Sequence, residues 1–322
     1  MRPLRVLTWH THGSYLYYLT HVPHEFHVVS RPGRPAGYGG RAGQFTWGDN
    51  VFDIPADEVR DREFDCVLYQ DDHQYHEDRF SMLSPAQRAL PAIYLEHDPP
   101  RAHPTDTRHP VDDPNVLVVH VTPFNALMWD TGRSPTRVIE HGVPEHPHAA
   151  YNGCLERGLV VINNLAQRGR RLGADLYNTV RREIPLHLVG MAADGEDGLG
   201  EVAHARLPHF MGHYRFFFHP VRYTSLGLAV IEAMMIGIPV VCFATAEMAT
   251  VIESGKSGFI SNRADTLMEG MRALLRNPQL AREQGVNARA YARERFSMAR
   301  FVNDWDAALR HVTSRGPPRR VG

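Results

Sequence analysis

The chain has 322 residues, enough for two domains of about 150 residues each. Residues 1–140 carry 13 Arg and no Lys against 19 acidic residues, a net charge of −6, while the rest carries 22 basic and 17 acidic residues, a net charge of +5. The acidic first half disfavours a nucleic-acid or anionic-membrane partner there, because both require a positive surface. The basic second half suits an anionic ligand. Three cysteines without close spacing favour a reduced, cytoplasmic protein.

Short apolar runs alternate with helix-length amphipathic stretches, which is the pattern of parallel α/β units. The predicted strands, in chain order, are residues 5–9, 26–30, 51–54, 65–69, 92–96, 116–119, 137–140, 159–163, 186–189, 216–219, 240–243 and 258–261. Three helices are predicted over residues 264–276, 278–293 and 297–311.

Polar residues follow several of the first-half strands. Ligands of open α/β sheets bind beyond the carboxyl ends of the strands, so these residues are candidates for a site. They are His10, His12 and Gly13 after the first strand, Asp71 and Asp72 after the fourth, and His97 and Asp98 after the fifth. We expect them to converge on one site.

A basic run follows the first strand of the second half. It comprises Arg168, Arg170, Arg171, Arg181 and Arg182, and we predict that it belongs to a helix. At 3.6 residues per turn these side chains cannot all face one way. Arg168 lies nearest the helix start and can reach a diphosphate there, so the others are interpreted as solvated.

The most informative stretch contains the residues TSLGLAVIEAMMIGIPVVCF. A helix over its first part is apolar on every face and must be buried, yet it carries one carboxylate, Glu232. The helix opens at Ser225, Leu226 and Gly227, where free backbone N–H groups and the positive dipole end form an anion site. A phosphate site at the start of the helix, together with a carboxylate inside the helix that can bind a diol, indicates a nucleotide pocket. The same run contains Gly237 and Pro239, so we predict helix, turn and strand, not a membrane span.

This segment resembles the donor-binding motif of glycosyltransferase family 4, whose members are retaining enzymes with the GT-B fold. Glu232 matches the second of two motif glutamates, and the residues Ser225, Leu226, Gly227 and Leu228 match the turn before it. Thr224 stands where the family has its first Glu. The resemblance implies that Glu232 holds the donor ribose and that position 224 faces the donor sugar.

Other segments follow in the order of the family. In VVINNLAQRG, Arg168 matches the phosphate-binding Lys and Asn164 lies near the family's Arg. Gly13 matches a loop that contacts the donor, and His97 matches a His near the reacting carbon. Between Gly200 and Arg215 the chain is shorter than the family pattern, which has a further strand and helix there.

The resemblance implies a GT-B fold, with two Rossmann-like α/β domains facing a central cleft and the last helix crossing back to the first domain. The predicted limits are an N-terminal acceptor domain over 1–141, a linker over 142–156, a nucleotide-sugar donor domain over 157–296, a helix over 297–312 and a disordered tail over 313–322.

The implied activity is transfer of a hexose-like sugar, with retention, from a nucleotide diphosphate sugar of UDP or GDP type to the hydroxyl of an unidentified acceptor. His97 and Arg168 are the catalytic candidates, and no metal or other cofactor is implied. Two alternatives stay open. A nucleotide-binding GT-B protein without transferase activity is motivated by Thr224. A metal-dependent hydrolase is motivated by the clusters of His and carboxylate residues, which are His10 and His12, 71–73 and 96–98.

Overall fold

The computed structural model describes residues 2–195 and 197–314, so most of the predicted tail lies outside the described residues. Two compact units divide the described chain. The first unit comprises residues 2–142 and 298–314, and the second unit comprises residues 143–297 without residue 196. The chain therefore passes between the units at residues 142–143 and again at 297–298.

Strands and helices alternate along the chain. The strands are β1 (Arg5–Trp9), β2 (Glu25–Ser30), β3 (Val51–Pro55), β4 (Cys66–Tyr69), β5 (Ala92–Glu96), β6 (Val116–His120), β7 (Thr136–Val138), β8 (Leu155–Val161), β9 (Leu186–Val189), β10 (Tyr214–His219), β11 (Val240–Cys242) and β12 (Gly258–Ile260). The α-helices are α1 (Gly13–Leu19), α2 (Arg79–Ser81), α3 (Pro85–Arg88), α4 (Pro123–Met128), α5 (Leu165–Arg168), α6 (Ala174–Val180), α7 (Leu207–Met211), α8 (Leu228–Ile236), α9 (Met248–Val251), α10 (Ala264–Arg276), α11 (Pro278–Arg295) and α12 (Met298–Ser314). Two 3₁₀ segments, Val59–Asp61 and Gly169–Leu172, and one π-helical turn, Gln74–Asp78, complete them.

The first unit contains a parallel sheet with the strand order β3-β2-β1-β4-β5-β6-β7. Trp9, Tyr69 and Tyr94 pack on one face of it in the apolar core. The strand order reverses between β1 and β4, and the loops that follow these two strands flank a topological switch point, where ligands of such sheets bind.

The C-terminal helix α12 belongs to the first unit, as the fold prediction expected. Trp305 is fully buried and its Nε1 donates to the Tyr15 hydroxyl at 3.1 Å. Asp306 lies 3.1 Å from Nε2 of the buried His24. The helix continues to Ser314, two residues beyond the predicted end at residue 312, because its apolar face still buries Val312.

The second unit contains a parallel sheet with the strand order β12-β11-β10-β8-β9. The buried residues Val160, Phe216 and Phe218 form part of its core. The order reverses between β8 and β10, so this sheet has its own switch point beside the loops that follow those strands. Both sheets are thus of the doubly wound, Rossmann-like kind that the sequence predicted.

Helix α8 is buried from Val230 to its end at Ile236, as its all-round apolar sequence requires. It ends at Gly237, which has a φ of 97° and donates its N–H to Ala233 O at 3.2 Å. A Cβ at Gly285 would lie 1.9 Å from Gly237 O, so α11 packs against the end of α8 only because residue 285 is glycine. In the described part of the chain, no helix is long and apolar enough to span a membrane.

The basic stretch after β8 is not one helix, so that prediction was wrong. Gly169 and Gly173 have φ values of 60° and 80°, which divide the stretch into α5, a 3₁₀ segment and α6. A Cβ at Gly173 would lie 2.0 Å from Pro220 O. The break therefore allows the chain to contact the loop that follows β10.

The short segment between Gly200 and Arg215 forms α7 and no regular strand before β10, within the described residues. Residues 197–200 run along the edge of β9 instead. Leu188 donates its N–H to Asp197 O at 2.9 Å, and Leu199 donates to Leu188 O at 2.9 Å. These bonds satisfy backbone N–H and C=O groups on the open edge of β9, which a further strand would otherwise bond.

Candidate functional site

In the second unit, the loops that follow β8 and β10 are bonded to each other. The N–H groups of Arg222 and Tyr223 donate to Arg171 O at 3.1 and 3.2 Å. The Arg222 guanidinium makes two bonds to the carboxylate of Asp175, at 2.6 and 2.8 Å. This paired guanidinium lowers the pKa of Asp175 to about 2. The contacts hold the loop before α8 against the segment that follows α5.

The N-terminus of α8 is open to an anion. Gly227 occupies its N-cap position, and no side chain caps the helix. The Ser225 side chain is only 7% exposed, and its Oγ has no hydrogen-bond partner among the described residues. Free helix N–H groups, the positive dipole end and a buried hydroxyl are the groups that bind phosphate in proteins.

Glu232 lies inside α8, five residues beyond Gly227, and is 5% exposed. His219, the last residue of β10, is also buried, and burial lowers its pKa to about 4. A Cβ on Gly227 would lie 3.6 Å from Cε1 of His219, so the ring borders the helix start. The imidazole is therefore neutral at pH 7, and the positive potential there comes from the helix.

The other donor residues that were predicted in the second unit lie in the same two loops. Asn164 has a left-handed φ of 54° and donates its N–H to Met191 O at 2.8 Å, while its own carbonyl accepts from Arg168 N at 2.9 Å. Arg168 ends α5 and is exposed. Thr224 is half-buried and directly precedes Ser225. Because β8 and β10 are neighbours, the structure brings these residues to the same edge of the sheet as residues 225–228.

In the first unit, Gln70 positions His97. Its Nε2 donates to Thr8 Oγ1 at 2.9 Å and to Trp9 O at 2.7 Å. Its Oε1 must then accept, and it lies 3.2 Å from His97 Nε2. The Nε2 of His97 is therefore the protonated nitrogen, and Nδ1 is the acceptor.

Other rings surround His97. The centroids of the His97 and His12 rings are 4.0 Å apart, and Tyr15 packs edge-on against His97 at 4.9 Å and against His141 at 5.5 Å. Burial, helped by His12 and His141, holds the pKa of His97 well below 6.5. His97 is thus a neutral hydrogen-bonding group at pH 7.

Gly13 is the first residue of α1, and two neighbouring side chains leave little space for a Cβ there. A Cβ would lie 2.8 Å from Cε2 of Phe45 and 3.1 Å from Nε2 of His10. His10 is itself tied to a neighbouring loop, with its Nδ1 2.7 Å from Gly40 O. His10 is therefore held by the fold, and Gly13 lies beside it in the loop that follows β1.

The hydrolase alternative has no metal site in the described residues. Across 2–195 and 197–314, no group of three or more His, Cys, Asp or Glu residues is placed to hold a metal ion. Several of the residues that motivated it have other contacts. Asp71 accepts the His73 N–H at 2.9 Å, and Glu96 accepts the Asp98 N–H at 2.9 Å.

Sequence reasoning did not single out Gln70, His141 or the role of the Ser225 hydroxyl. Gln70 directly follows β4 and precedes Asp71, so its place at the switch point was a signal that could have identified it. His141 packs against Tyr15 and helps to lower the pKa of His97, and the sequence holds no local signal for either effect.

These two doubly wound units give the chain the GT-B fold. Sucrose-phosphate synthase (tll1590) from Thermosynechococcus elongatus superposes with a TM-score of 0.70 at 14% identity, over 98% of this chain and all of that one. Anabaena Alr3699/HepE in complex with UDP and glucose gives a TM-score of 0.70 at 14% identity, over 96% of this chain and all of that one. AviGT4, a glycosyltransferase involved in avilamycin A biosynthesis, gives a TM-score of 0.61 at 15% identity, over 98% and 99% of the two chains.

Residues 197–291 match the family of glycosyl transferases group 1. The matched residues include β10, α8 and the whole Thr224–Leu228 turn. No curated protein matches the chain in sequence. At 14–15% identity the structural likenesses establish the fold, and the activity has to be argued from the site.

Proposed function

We propose that this protein is a retaining glycosyltransferase that moves a sugar from a nucleotide diphosphate sugar to an acceptor hydroxyl. The observation that carries this proposal is the open N-terminus of α8, with a buried hydroxyl at Ser225 and a buried carboxylate at Glu232 inside the helix. The helix end suits the diphosphate, and Glu232 suits the hydroxyls of the ribose. The likeness to HepE, whose structures contain UDP and UDP-glucose, favours a uridine nucleotide over GDP.

The proposed chemistry is electrostatic. As the bond between the sugar and the phosphate breaks, negative charge develops on the leaving diphosphate. In this proposal the N–H groups at the start of α8 and the guanidinium of Arg168 stabilise that charge, and Asn164 assists them. In this proposal the positive charge comes from Arg168 and the helix end, so the donor needs no metal ion or other cofactor.

Retention then proceeds without a covalent enzyme intermediate. The leaving phosphate accepts the proton of the acceptor hydroxyl while that oxygen attacks the anomeric carbon from the same face. His97 is our candidate for contact with the transferred sugar. Its neutral state and its fixed tautomer let it offer a hydrogen-bond acceptor at Nδ1 without adding a charge that would compete with the diphosphate.

We also infer a reducing, cytoplasmic compartment. The thiols of Cys66, Cys154 and Cys242 are all free, and burial raises the pKa of the Cys66 thiol to about 12. Such buried thiols behave as small apolar side chains and not as reactive groups.

Calorimetric titration of the full chain with UDP, GDP and ADP tests the nucleotide site. Glu232→Ala should weaken the preferred diphosphate by about 1–3 kcal/mol, the usual effect of removing one buried hydrogen-bond partner. Glu269→Ala is the matched control, because Glu269 is an exposed helical glutamate of the same unit. If Glu232→Ala stays folded and binds as tightly as the control, the nucleotide pocket is not at α8.

Thr224 supports a second candidate, a GT-B protein that binds the nucleotide and transfers nothing. A short hydroxyl reaches less far than the carboxylate that the resemblance expects, so one sugar contact is weaker or absent. Turnover of donor sugars in the presence of acceptors distinguishes the two candidates. Nucleotide binding without release of diphosphate from any donor would favour the second.

A further inference from the structure

A separate cavity of about 480 Å³ lies wholly within the first unit, beyond the carboxyl ends of β4 and β5. Its volume is within the range of small-molecule sites, about 300–1,000 Å³. His97 and Gln70 form part of its wall, so the cavity adjoins the histidine that we assign to the transferred sugar. The inference drawn from this cavity rests on the proposed function, because it concerns the binding of the acceptor.

The wall of the cavity is acidic. Asp71, Asp72 and Glu96 all line it. No cationic side chain pairs with Asp71 among the described residues, and Asp72 has only Nε2 of His76 nearby, at 3.2 Å. Glu96 has an oxygen 3.2 Å from Nε2 of His109.

The two arginines of the wall do not offset these carboxylates. Arg101 pairs with Asp98, and Arg108 bonds the Asp112 carboxylate at 2.6 Å. Each arginine is thus already paired with a carboxylate, although Asp112 is shared with Arg133, and the wall still carries more acidic than basic side chains. His97 is neutral because burial lowers its pKa. The uncompensated charge of the wall is negative.

A buried phenol at the same wall indicates that the cavity receives a ligand. Tyr94 is only 4% exposed, yet its hydroxyl makes no hydrogen bond to any described residue. Burial first, and then the nearby charges of Glu96, Asp71 and Asp72, raise the pKa of Tyr94. The three carboxylates thus line the same cavity as a donor that has no protein acceptor, and a buried polar group of this kind normally has a partner.

The cation that suits this wall is not a metal ion. A metal requires several ligands within about 2–2.6 Å of one point, and in the described residues no three His, Cys or acidic residues are close enough for that. The carboxylates are spread around a cavity that has room for a ring. An extended organic cation with hydroxyl groups satisfies both the spread charges and the Tyr94 donor.

We propose that this cavity is the acceptor subsite and that it selects a polyhydroxylated acceptor carrying a protonated amine, such as an amino sugar or an aminocyclitol. Asp71 and Asp72 bind the ammonium group, and Tyr94 donates to an acceptor oxygen. Acceptors in which the amine is acylated, or replaced by a carboxylate, are disfavoured because they leave the carboxylates unpaired or repelled.

Three hexose probes that differ in charge test the proposal. Glucosamine, N-acetylglucosamine and glucuronate are titrated into the full chain saturated with its preferred nucleotide, and dissociation constants are measured by ligand-observed NMR. We expect glucosamine to bind about ten-fold tighter than N-acetylglucosamine, roughly the effect of one partly screened charge pair, and glucuronate to bind most weakly. Equal affinity for all three probes, or a preference for glucuronate, would overturn the proposal.

The variants assign the effect to this cavity. The double variant Asp71→Asn, Asp72→Asn should lose the preference for glucosamine, and Tyr94→Phe should weaken glucosamine and N-acetylglucosamine alike. The matched control is Asp49→Asn, Asp57→Asn, which removes two exposed charges of the same unit outside the cavity and should keep the preference. If the control loses the preference for glucosamine to the same extent, the effect comes from net charge and the subsite is refuted.

Nucleotide affinity measured on the same samples separates this inference from the proposed function. A wild-type chain that binds the nucleotide but shows no amine preference refutes the subsite alone. A chain that binds no nucleoside diphosphate refutes the transferase, whatever the three probes show in its absence.

Discussion

His120 is a buried histidine of the first unit whose charge state should control the acid stability of that unit. It ends β6, is fully buried, and neither ring nitrogen has a hydrogen-bond partner in the described part of the chain. Burial first, and then the neighbouring His109, lowers the pKa of His120 to about 4. The folded state therefore excludes a proton that the unfolded chain binds near pH 6.5.

The sign and size of the effect follow from this difference. The contribution to stability is fully present above pH 6.5 and is lost as the pH falls toward 4, because protons then bind the unfolded state preferentially. A separation of about 2.5 pKa units corresponds to roughly 3 kcal/mol in total. Of this, about 2 kcal/mol should already be lost at pH 5, where the unfolded imidazole is almost fully protonated.

His120→Leu removes the titrating group and a buried polar group without a partner. At pH 7.5 we expect the variant to match the wild type or to exceed it by about 1–3 kcal/mol. Between pH 7.5 and pH 5 its advantage should grow by about 2 kcal/mol. Urea unfolding followed by tryptophan fluorescence measures this in the first unit alone, because all four tryptophans, Trp9, Trp47, Trp129 and Trp305, lie there.

The control is His103→Leu, the same substitution at an exposed histidine of the same unit. Its free energy of unfolding should follow that of the wild type at every pH. If the curves for His120→Leu and the wild type are also parallel from pH 7.5 to pH 5, the imidazole is not held neutral and the reasoning fails.

Three further changes have defined outcomes. Arg168→Ala should weaken a nucleoside diphosphate much more than the nucleoside in calorimetric titration, because its proposed partner is the diphosphate; equal losses would remove Arg168 from the site. Thr224→Glu should alter the ranking of donor sugars in transfer assays while leaving affinity for the free diphosphate almost unchanged, and an unchanged ranking would place Thr224 away from the sugar. Gln70→Leu should destabilise the first unit by about 1–3 kcal/mol in the fluorescence assay, because it removes the side-chain partner of His97 Nε2 and of Trp9 O, and should leave nucleotide affinity intact.

The fold could be predicted from the sequence because its strands are apolar runs with clear breaks. Every predicted strand is present, and β1, β5 and β9 have the predicted limits. The limits of β8 were harder to predict. It begins at Leu155, four residues early, because its exposed first residues pair with β10 through backbone bonds that leave no apolar pattern.

The basic stretch after β8, which was predicted to be one helix, shows why another part of the fold was predicted wrongly. Its residues have the charge pattern of a helix surface, and the sequence does not reveal that Gly173 must approach Pro220 O. That contact joins two loops that are about fifty residues apart in the chain. When a glycine interrupts a helical pattern, the reason is more often a tertiary contact of this kind than the local sequence.

The two switch points give an argument for the site that does not depend on the family resemblance. Strand order is a property of the connections between strands, and it places one reversal between β1 and β4 and the other between β8 and β10. A motif comparison uses only the residues of one turn, yet it selects Ser225 to Leu228, which lie in the loop that follows β10 at the second reversal. At the first reversal no motif selects Gln70, and topology alone does so. A polar residue directly after a switch-point strand is therefore a site candidate in its own right, and Gln70 shows that such a residue can act by fixing the tautomer of its neighbour.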